Sequence, residues 1–184
     1  MRAESLTEIR TSRLVLRVPG PEDASALLRF AVENRAFHTP FDPVPPDGWD
    51  SLEHWEKYAN RAIRELQEDT SFKLVLVSNP GAILGMANFT SIQRGPFQAC
   101  QLGYKLSRNA EGQGVMFEAL SAAIPVVFGV LDLHRIMANH LPENLRSGRL
   151  LRRLGFVVEG YARDYLKING VWRDHVLTAL TRPG

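Results

Sequence analysis

The hydrophobic and polar positions change period several times along the chain, and each change marks an element. In SRLVLRV (12–18), Leu14, Leu16 and Val18 alternate with Arg13, Val15 and Arg17. A period of two predicts a strand with one wet face. Pro19-Gly20-Pro21 predicts a turn, and Glu22 and Asp23 suit a helix's first turn, where carboxylates meet the positive end of the backbone dipole. Leu27, Leu28 and Ala31 share one side of a helix reaching about Asn34. The stretch AFHTPFDPVPPDGWD (36–50), with four prolines and three aromatics, then forbids a regular helix. It reads either as a loop tacked to the core by its aromatics or as one wall of a cleft. A second helix is predicted from Asp50, with Glu53 as capping-box partner and Leu52, Trp55, Ala59, Ala62, Ile63 and Leu66 at helical spacing.

Three strand-like runs follow: FKLVLV (72–77), ILGMANFTSI (83–92) and ACQLGYKL (99–106). Asn79-Pro80-Gly81 and Gly95-Pro96 supply the turns between them. Met116, Leu120, Ala123, Ile124, Val127 and Leu131 mark a largely buried helix, and Pro125 inside it predicts a kink. HRIMANH (134–140) reads as a strand, Asn144 to Leu154 as a helix closed by Gly155, and 157–168 and 172–180 as strands joined by an Asn169-Gly170 hairpin. The order β-α-α-β-β-β-α-β-α-β-β describes a mixed sheet of seven strands with four helices on its faces, in the α/β to α+β range.

Composition narrows the function more than the fold. A chain of 184 residues has room for one domain, spanning 1–184, with one main core. A net charge of +2 gives no electrostatic case for a dedicated nucleic-acid binder, although Arg146, Arg149, Arg152 and Arg153 crowd one segment. The single cysteine, Cys100, excludes an internal disulfide and a cysteine zinc site, and no metal is expected. MRAESLTEIRTSR carries no apolar core of a secretory signal, and no apolar run reaches the ~18 residues of a membrane span. The expectation is a cytoplasmic protein with no membrane partner.

The segment GYKLSRNAEGQGVMFEAL (103–120) carries the chemistry. A loop with Gly112 and Gly114 lies between a strand and a helix start. Successive N–H groups in such a turn can hold phosphate oxygens, and a side chain there would block the approach. No Lys-Ser/Thr pair follows, so it is not a Walker loop, and the third glycine of the dinucleotide fingerprint is missing. Taken alone, the glycines are better explained by a tight strand-to-helix turn, and Glu111 beside them opposes a bound phosphate.

The strand–loop–helix–strand–helix order ending in PENLRSGRLLRRLGF (142–156) resembles the GNAT family of acyl-CoA-dependent N-acetyltransferases. LGYKL, GQGVMFEAL, HRIMAN, PENLRSG, LLRRLGF, EGYARDYL, ING and WRDHVLTAL are similar to the branch that acetylates N-terminal alanines of ribosomal proteins. That similarity runs from about Phe97 to Thr181, with SRLVLR, ANFT and RGPFQAC alike upstream. The resemblance implies a GNAT fold with a mostly antiparallel sheet, and acetyl-CoA as co-substrate. Its pyrophosphate would lie on Arg108, Asn109, Gly112, Gln113, Gly114, Val115 and Met116. Its pantetheine arm would enter where strands 99–106 and 134–140 splay, along Leu102, Gly103 and Tyr104, with Asn144 and Ser147 beside it. The chain departs from the family in the loop: Asn109 replaces Gln or Arg, Ala110-Glu111 an aromatic-Gln pair, and Gln113 a Lys. Glu111 is expected to point to solvent, with weakened donor binding.

Acetyl transfer to an amine needs an unprotonated nitrogen, an oriented carbonyl, oxyanion stabilisation and a leaving thiolate. An α-amine of pKa near 7.7–8.0 is roughly a tenth neutral at pH 7, so only a modest base is required. Ser147 is the candidate general acid; His140, Asp164 and Glu118 are candidate bases, each with a competing structural role. The acceptor side is expected between the 36–50 loop and the 164–172 hairpin, using Phe37, Phe41, Trp49, Asn88, Asp164 and Trp172. The implied partner is the N-terminal alanine of a small-subunit ribosomal protein. Incidental ribosomal RNA contact through Arg146, Arg149 and Arg153 and a monomer or weak homodimer complete the expectation. Two other functions stay open: acetylation of a small amine such as an antibiotic, polyamine or amino acid, and a catalytically weak acyl-CoA-binding or ribosome-associated protein.

Overall fold

The computed structural model describes residues 8–78 and 81–182, and it joins the alternating segments into one eight-stranded sheet. The strands are β1 (Ile9–Arg10), β2 (Leu14–Arg17), β3 (Phe72–Ser78), β4 (Ile83–Gln93), β5 (Ala99–Leu106), β6 (Arg135–Met137), β7 (Val157–Ile168) and β8 (Val171–Thr181). Their spatial order is β1-β2-β3-β4-β5-β6-β8-β7. Every neighbouring pair is antiparallel except β5 with β6. The strand beyond the expected seven is β1, whose two residues are too few to show a period; Ile9 pairs with Leu16 and Arg10 with Val15.

The helices are α1 (Ala24–His38), α2 (Leu52–Gln67), α3 (Val115–Gly129) and α4 (Leu145–Arg153). Helix α1 outruns its expected end near Asn34 and takes in Phe37, because Pro40 is the first proline of the loop and α1 stops just short of it. The N-cap of α2 is Ser51 rather than Asp50: its hydroxyl accepts from the His54 N–H at 3.2 Å. Helix α3 continues through Pro125. The Asn79-Pro80 part of the first turn lies outside the described residues.

Alternation along the strands divides two cores. Leu14, Leu16, Phe72, Leu74, Leu76, Ala87, Phe89, Cys100 and Leu102 pack with the buried stripe of α3 and with Leu151 of α4. On the opposite face Val75 and Met86 meet Leu27 and Phe30 of α1, with Trp55 and Tyr58 of α2 against them. Full burial of each large apolar side chain contributes about 1.5–3 kcal/mol, so the larger cluster dominates stability and fixes α3 on the sheet.

One irregularity positions the site. The predicted strand 134–140 is short in the fold, and β6 pairs with β5 only at Ala99, Cys100 and Gln101. Past Met137 the chain stays with β8: the Ala138 N–H donates to Thr178 O, and His140 and Val176 exchange backbone bonds. Among the described residues, Leu102 to Leu106 therefore have β4 on one edge and no strand on the other, and the sheet opens there.

Candidate active site

The opening leads directly into the glycine loop. The Ser107 N–H donates to Leu84 O at 2.7 Å, and residues 108–110 make one 3-10 turn. Asn34, buried on α1, accepts from the Arg108 N–H at 2.9 Å and donates to Phe30 O at 2.8 Å. Gly112 and Gly114 have φ of +72° and +74°. A Cβ on Gly112 would meet nothing within 4 Å, and on Gly114 only the Arg13 guanidinium at 3.8 Å. Left-handed backbone, not crowding by other protein atoms, demands glycine here. The N–H groups of Gly112, Gln113 and Gly114 donate to no other described residue, and the Gln113 side chain turns back to Asn109 O at 2.8 Å. Free N–H groups at the start of α3, beside an unpaired strand edge, suit an extended ligand that carries phosphate. Val115 and Met116, named with the loop, are buried in the core of α3.

The far side of the loop is fastened by Glu118 through three partners, Thr11, Ser12 and Arg13, that the sequence reading did not assign to the site. Glu118 accepts from Thr11 Oγ1 at 2.6 Å, Ser12 Oγ at 3.0 Å, the Arg13 N–H at 3.0 Å and Arg13 Nε at 2.6 Å. Arg13 also donates to Gln113 O at 3.0 Å, which ties the N-terminal segment to the loop. The Thr11 hydroxyl, then the Arg13 groups and Ser12, hold the Glu118 carboxyl down to about pKa 2. A carboxylate so bound is a buckle and not a base.

Glu111 does not point freely to solvent, as expected; it pairs with Arg146 at the start of α4. The neutralising partner therefore comes from α4 across the opening and not from the loop itself. Arg153, seven residues further along α4, stacks over the Phe117 ring of α3 at 4.3 Å. Two of the three arginines expected to make incidental ribosomal RNA contact, Arg146 and Arg153, are thus engaged within the fold.

Ser147 stands in the first turn of α4. Its N–H donates to Asn144 Oδ1 at 3.1 Å, which makes Asn144 the N-cap, and its Oγ lies 2.7 Å from the Tyr104 hydroxyl. Burial pushes Tyr104 up to about 12. Tyr104 belongs to the part of β5 that β6 has left, so the two hydroxyls meet at the opening. His140 is nearby: Nδ1 contacts Leu141 O at 2.9 Å, and a Cβ on Gly148 would come within 3.0 Å of its ring.

The acceptor candidates divide. Pro40, Phe41, Glu143, Ile168, Asn169, Val171 and Arg173 line a groove of about 550 Å³ between the 36–50 loop and the β7–β8 hairpin. The hairpin tip touches the loop where the Asn169 N–H donates to Asp42 O at 2.8 Å, and Lys105 Nζ reaches Asp42 at 2.5 Å. Glu143 and Arg173 pair on the groove wall. Asn88 lies across from Gly103 in register, with its Oδ1 3.3 Å from the Tyr58 hydroxyl. Phe37 is inside α1, packed on the His38 ring. Trp49 is held by Arg35 over its ring and by Trp55 Nε1, which donates to its carbonyl. Trp172 is 57% exposed on β8. Asp164 is exposed at a bulge of β7 with φ +48°; its N–H donates to Asp174, and it makes no hydrogen bond to Ser147, Tyr104 or His140. His175 is buried against Tyr165. No group of three or more His, Cys, Asp or Glu among the described residues is placed to hold a metal ion.

Residues 13–157 match the family model described as an acetyltransferase (GNAT) domain. The chain is 44% identical over 176 residues, covering 95% of its length and 91% of the relative's, to the [ribosomal protein uS5]-alanine N-acetyltransferase of Escherichia coli. It is 34% identical over 88% of its length to the probable N-acetyltransferase YjcK of Bacillus subtilis, of which the match covers 90%. Among solved structures it superposes on the ribosomal-protein-S5-alanine acetyltransferase from Vibrio fischeri with a TM-score of 0.91 at 32% identity, covering 95% and 96% of the two chains. Mycobacterium smegmatis RimJ in complex with CoA-disulfide gives a TM-score of 0.88 at 25% identity, covering 96% and 88%.

Proposed function

The chain belongs to the GNAT acetyltransferase family and is an acetyl-CoA-dependent N-acetyltransferase, and from that premise we propose that it acetylates the N-terminal alanine of the small-subunit ribosomal protein uS5. The observation that carries the acceptor assignment is the 44% identity to a uS5-alanine N-acetyltransferase over 95% of this chain. The reaction is placed in the cytoplasm with the ribosomal substrate. Arg149 and Arg152, exposed on α4, are the side chains left for incidental ribosomal RNA contact. The enzyme is read as a monomer or weak homodimer.

Bound acetyl-CoA supplies an activated acyl group on a thiol of low basicity. The Gly112, Gln113 and Gly114 N–H groups grip its pyrophosphate, and the Glu118–Arg13 buckle keeps the Gln113 carbonyl turned away from the anion. The free edge of Leu102, Gly103 and Tyr104 pairs with the amides of the pantetheine arm and aligns the carbonyl. Ser147 faces the departing sulfur from α4. His140, whose ring lies against Gly148 of that helix, is the base candidate that fits best, since Glu118 is consumed by its hydrogen bonds and Asp164 is remote in the bonding network. An N-terminal amine asks little of it: near pKa 8 it loses its proton to water readily. The groove beside Phe41 receives the residues that follow the alanine.

The test is thiol release from acetyl-CoA across a panel of acceptors: a peptide beginning with alanine in the uS5 order, the same peptide with a blocked α-amine, and a polyamine. Turnover with the free peptide alone is expected. Turnover with the polyamine and none with the peptide would overturn the acceptor assignment.

A further inference from the structure

We propose that Tyr104 is a positioning residue for the departing sulfur: its phenol donates to Ser147 Oγ and turns the serine's single proton toward the opening between β5 and β6. The inference rests on the transferase reading above, in which the thioester sulfur lies in that opening.

Two hydroxyls 2.7 Å apart share one hydrogen bond, and one of them must donate it. A phenol is far more acidic than an alkanol and is the better donor. Burial keeps its proton in place, since Tyr104 is pushed up to about 12. Both partners are held from outside the pair. The Tyr104 ring packs against the main core, and Ser147 is fixed by the first turn of α4 and by its bond to Asn144. With the phenol donating, the serine proton points away from Tyr104.

This arrangement also says what the pair does. A coenzyme thiol resembles a cysteine, with a pKa near 8.5. A phenol near 12 and an alkanol above it are too weak as acids to protonate such a thiolate outright. The nitrogen–carbon bond forms, the carbon–sulfur bond breaks, and sulfur keeps the electron pair. Ser147 donates a hydrogen bond to the sulfur as that charge builds, and Tyr104 strengthens it from behind. The proton that finally reaches sulfur comes from solvent and balances the one the amine nitrogen releases there.

The experiment reads the bound thiol itself. Coenzyme A is titrated with pH on the wild-type protein and on Tyr104→Phe, Ser147→Ala and the double variant, following thiolate absorbance. The wild-type complex is expected to ionise about one pH unit below the free thiol, equivalent to about tenfold. Tyr104→Phe should recover most of that shift, Ser147→Ala all of it, and the double variant should match Ser147→Ala. The maximal rate of acetyl transfer should fall about tenfold in Tyr104→Phe, with KM for acetyl-CoA within about twofold. Tyr104→Phe deletes one oxygen, and its thermal midpoint checks that the packing survives. Identical thiol ionisation in wild type and Tyr104→Phe would overturn the proposal, as would a Tyr104→Phe effect that persists undiminished without Ser147. Failure of the transferase reading shows differently: the wild-type protein then binds no coenzyme A, and this inference falls with it.

Discussion

Glu111 is the residue where the sequence and a phosphate-binding loop conflict, and its pairing with Arg146 makes the conflict measurable. A carboxylate and a phosphate oxygen about 4 Å apart repel by about 1 kcal/mol in water, and by about 4 kcal/mol at the effective dielectric of a protein surface. The Glu111 side chain is 30% exposed and that of Arg146 69%, so the watery limit applies. Arg146 cancels most of this repulsion but is itself occupied by doing so. Glu111→Gln releases Arg146 beside the loop, and coenzyme A should bind about fivefold tighter, the ratio that about 1 kcal/mol gives. Arg146→Gln leaves Glu111 uncompensated, and binding should weaken about fivefold. The double variant should return near wild type. Calorimetric titration at low salt reads all three. In about 1 M salt, where screening acts within about 3 Å, the differences should collapse. Pantetheine, which lacks phosphate, is the control and should ignore every substitution. Equal Kd for coenzyme A in wild type and Glu111→Gln at low salt would refute the reasoning, as would an equal effect on pantetheine.

Two further outcomes follow from the same geometry. Glu118 is held below its ordinary pKa of 4.5, so its stabilising contribution is complete above that value and is lost as pH falls toward about 2. The thermal midpoint of the wild-type protein should therefore drop more between about pH 4.5 and 2 than that of Glu118→Gln; parallel curves would remove Glu118 from the account of the loop. Phe41→Ala should raise KM for the acceptor peptide several-fold, by loss of an apolar wall worth about 1 kcal/mol or more, and leave the Kd of coenzyme A unchanged. A matched change in both constants would mean that the groove is not the acceptor's.

Much of the element pattern was legible in the sequence because elements such as β2 and α3 keep a clean period over one buried face. Leu14 and Leu16, the stripe from Met116 to Leu131, and the Asn169-Gly170 turn are readable without coordinates. Strand β1 was not, since two residues have no period and gain their meaning only from β2. The shortness of β6 was also hidden: nothing in HRIMANH marks where pairing with β5 ends, which depends on the register with β8. At the site, the glycines and the helix that caps on Asn144 could be read from spacing. The partnerships could not. Arg146 reaches Glu111 across 35 positions and Arg13 reaches Glu118 across 105. Asn34 left a usable signal, a polar residue four places after Phe30 on the buried side of α1.

The most direct test of the central claim is hydrogen exchange of the backbone amides with and without coenzyme A. The account predicts that coenzyme A slows exchange at residues 102–104 on the free edge of β5 and at 112–114 in the loop, with little change at the β7–β8 hairpin. Binding that leaves both segments exchanging as before, or protection confined to the groove beside Phe41, would contradict it.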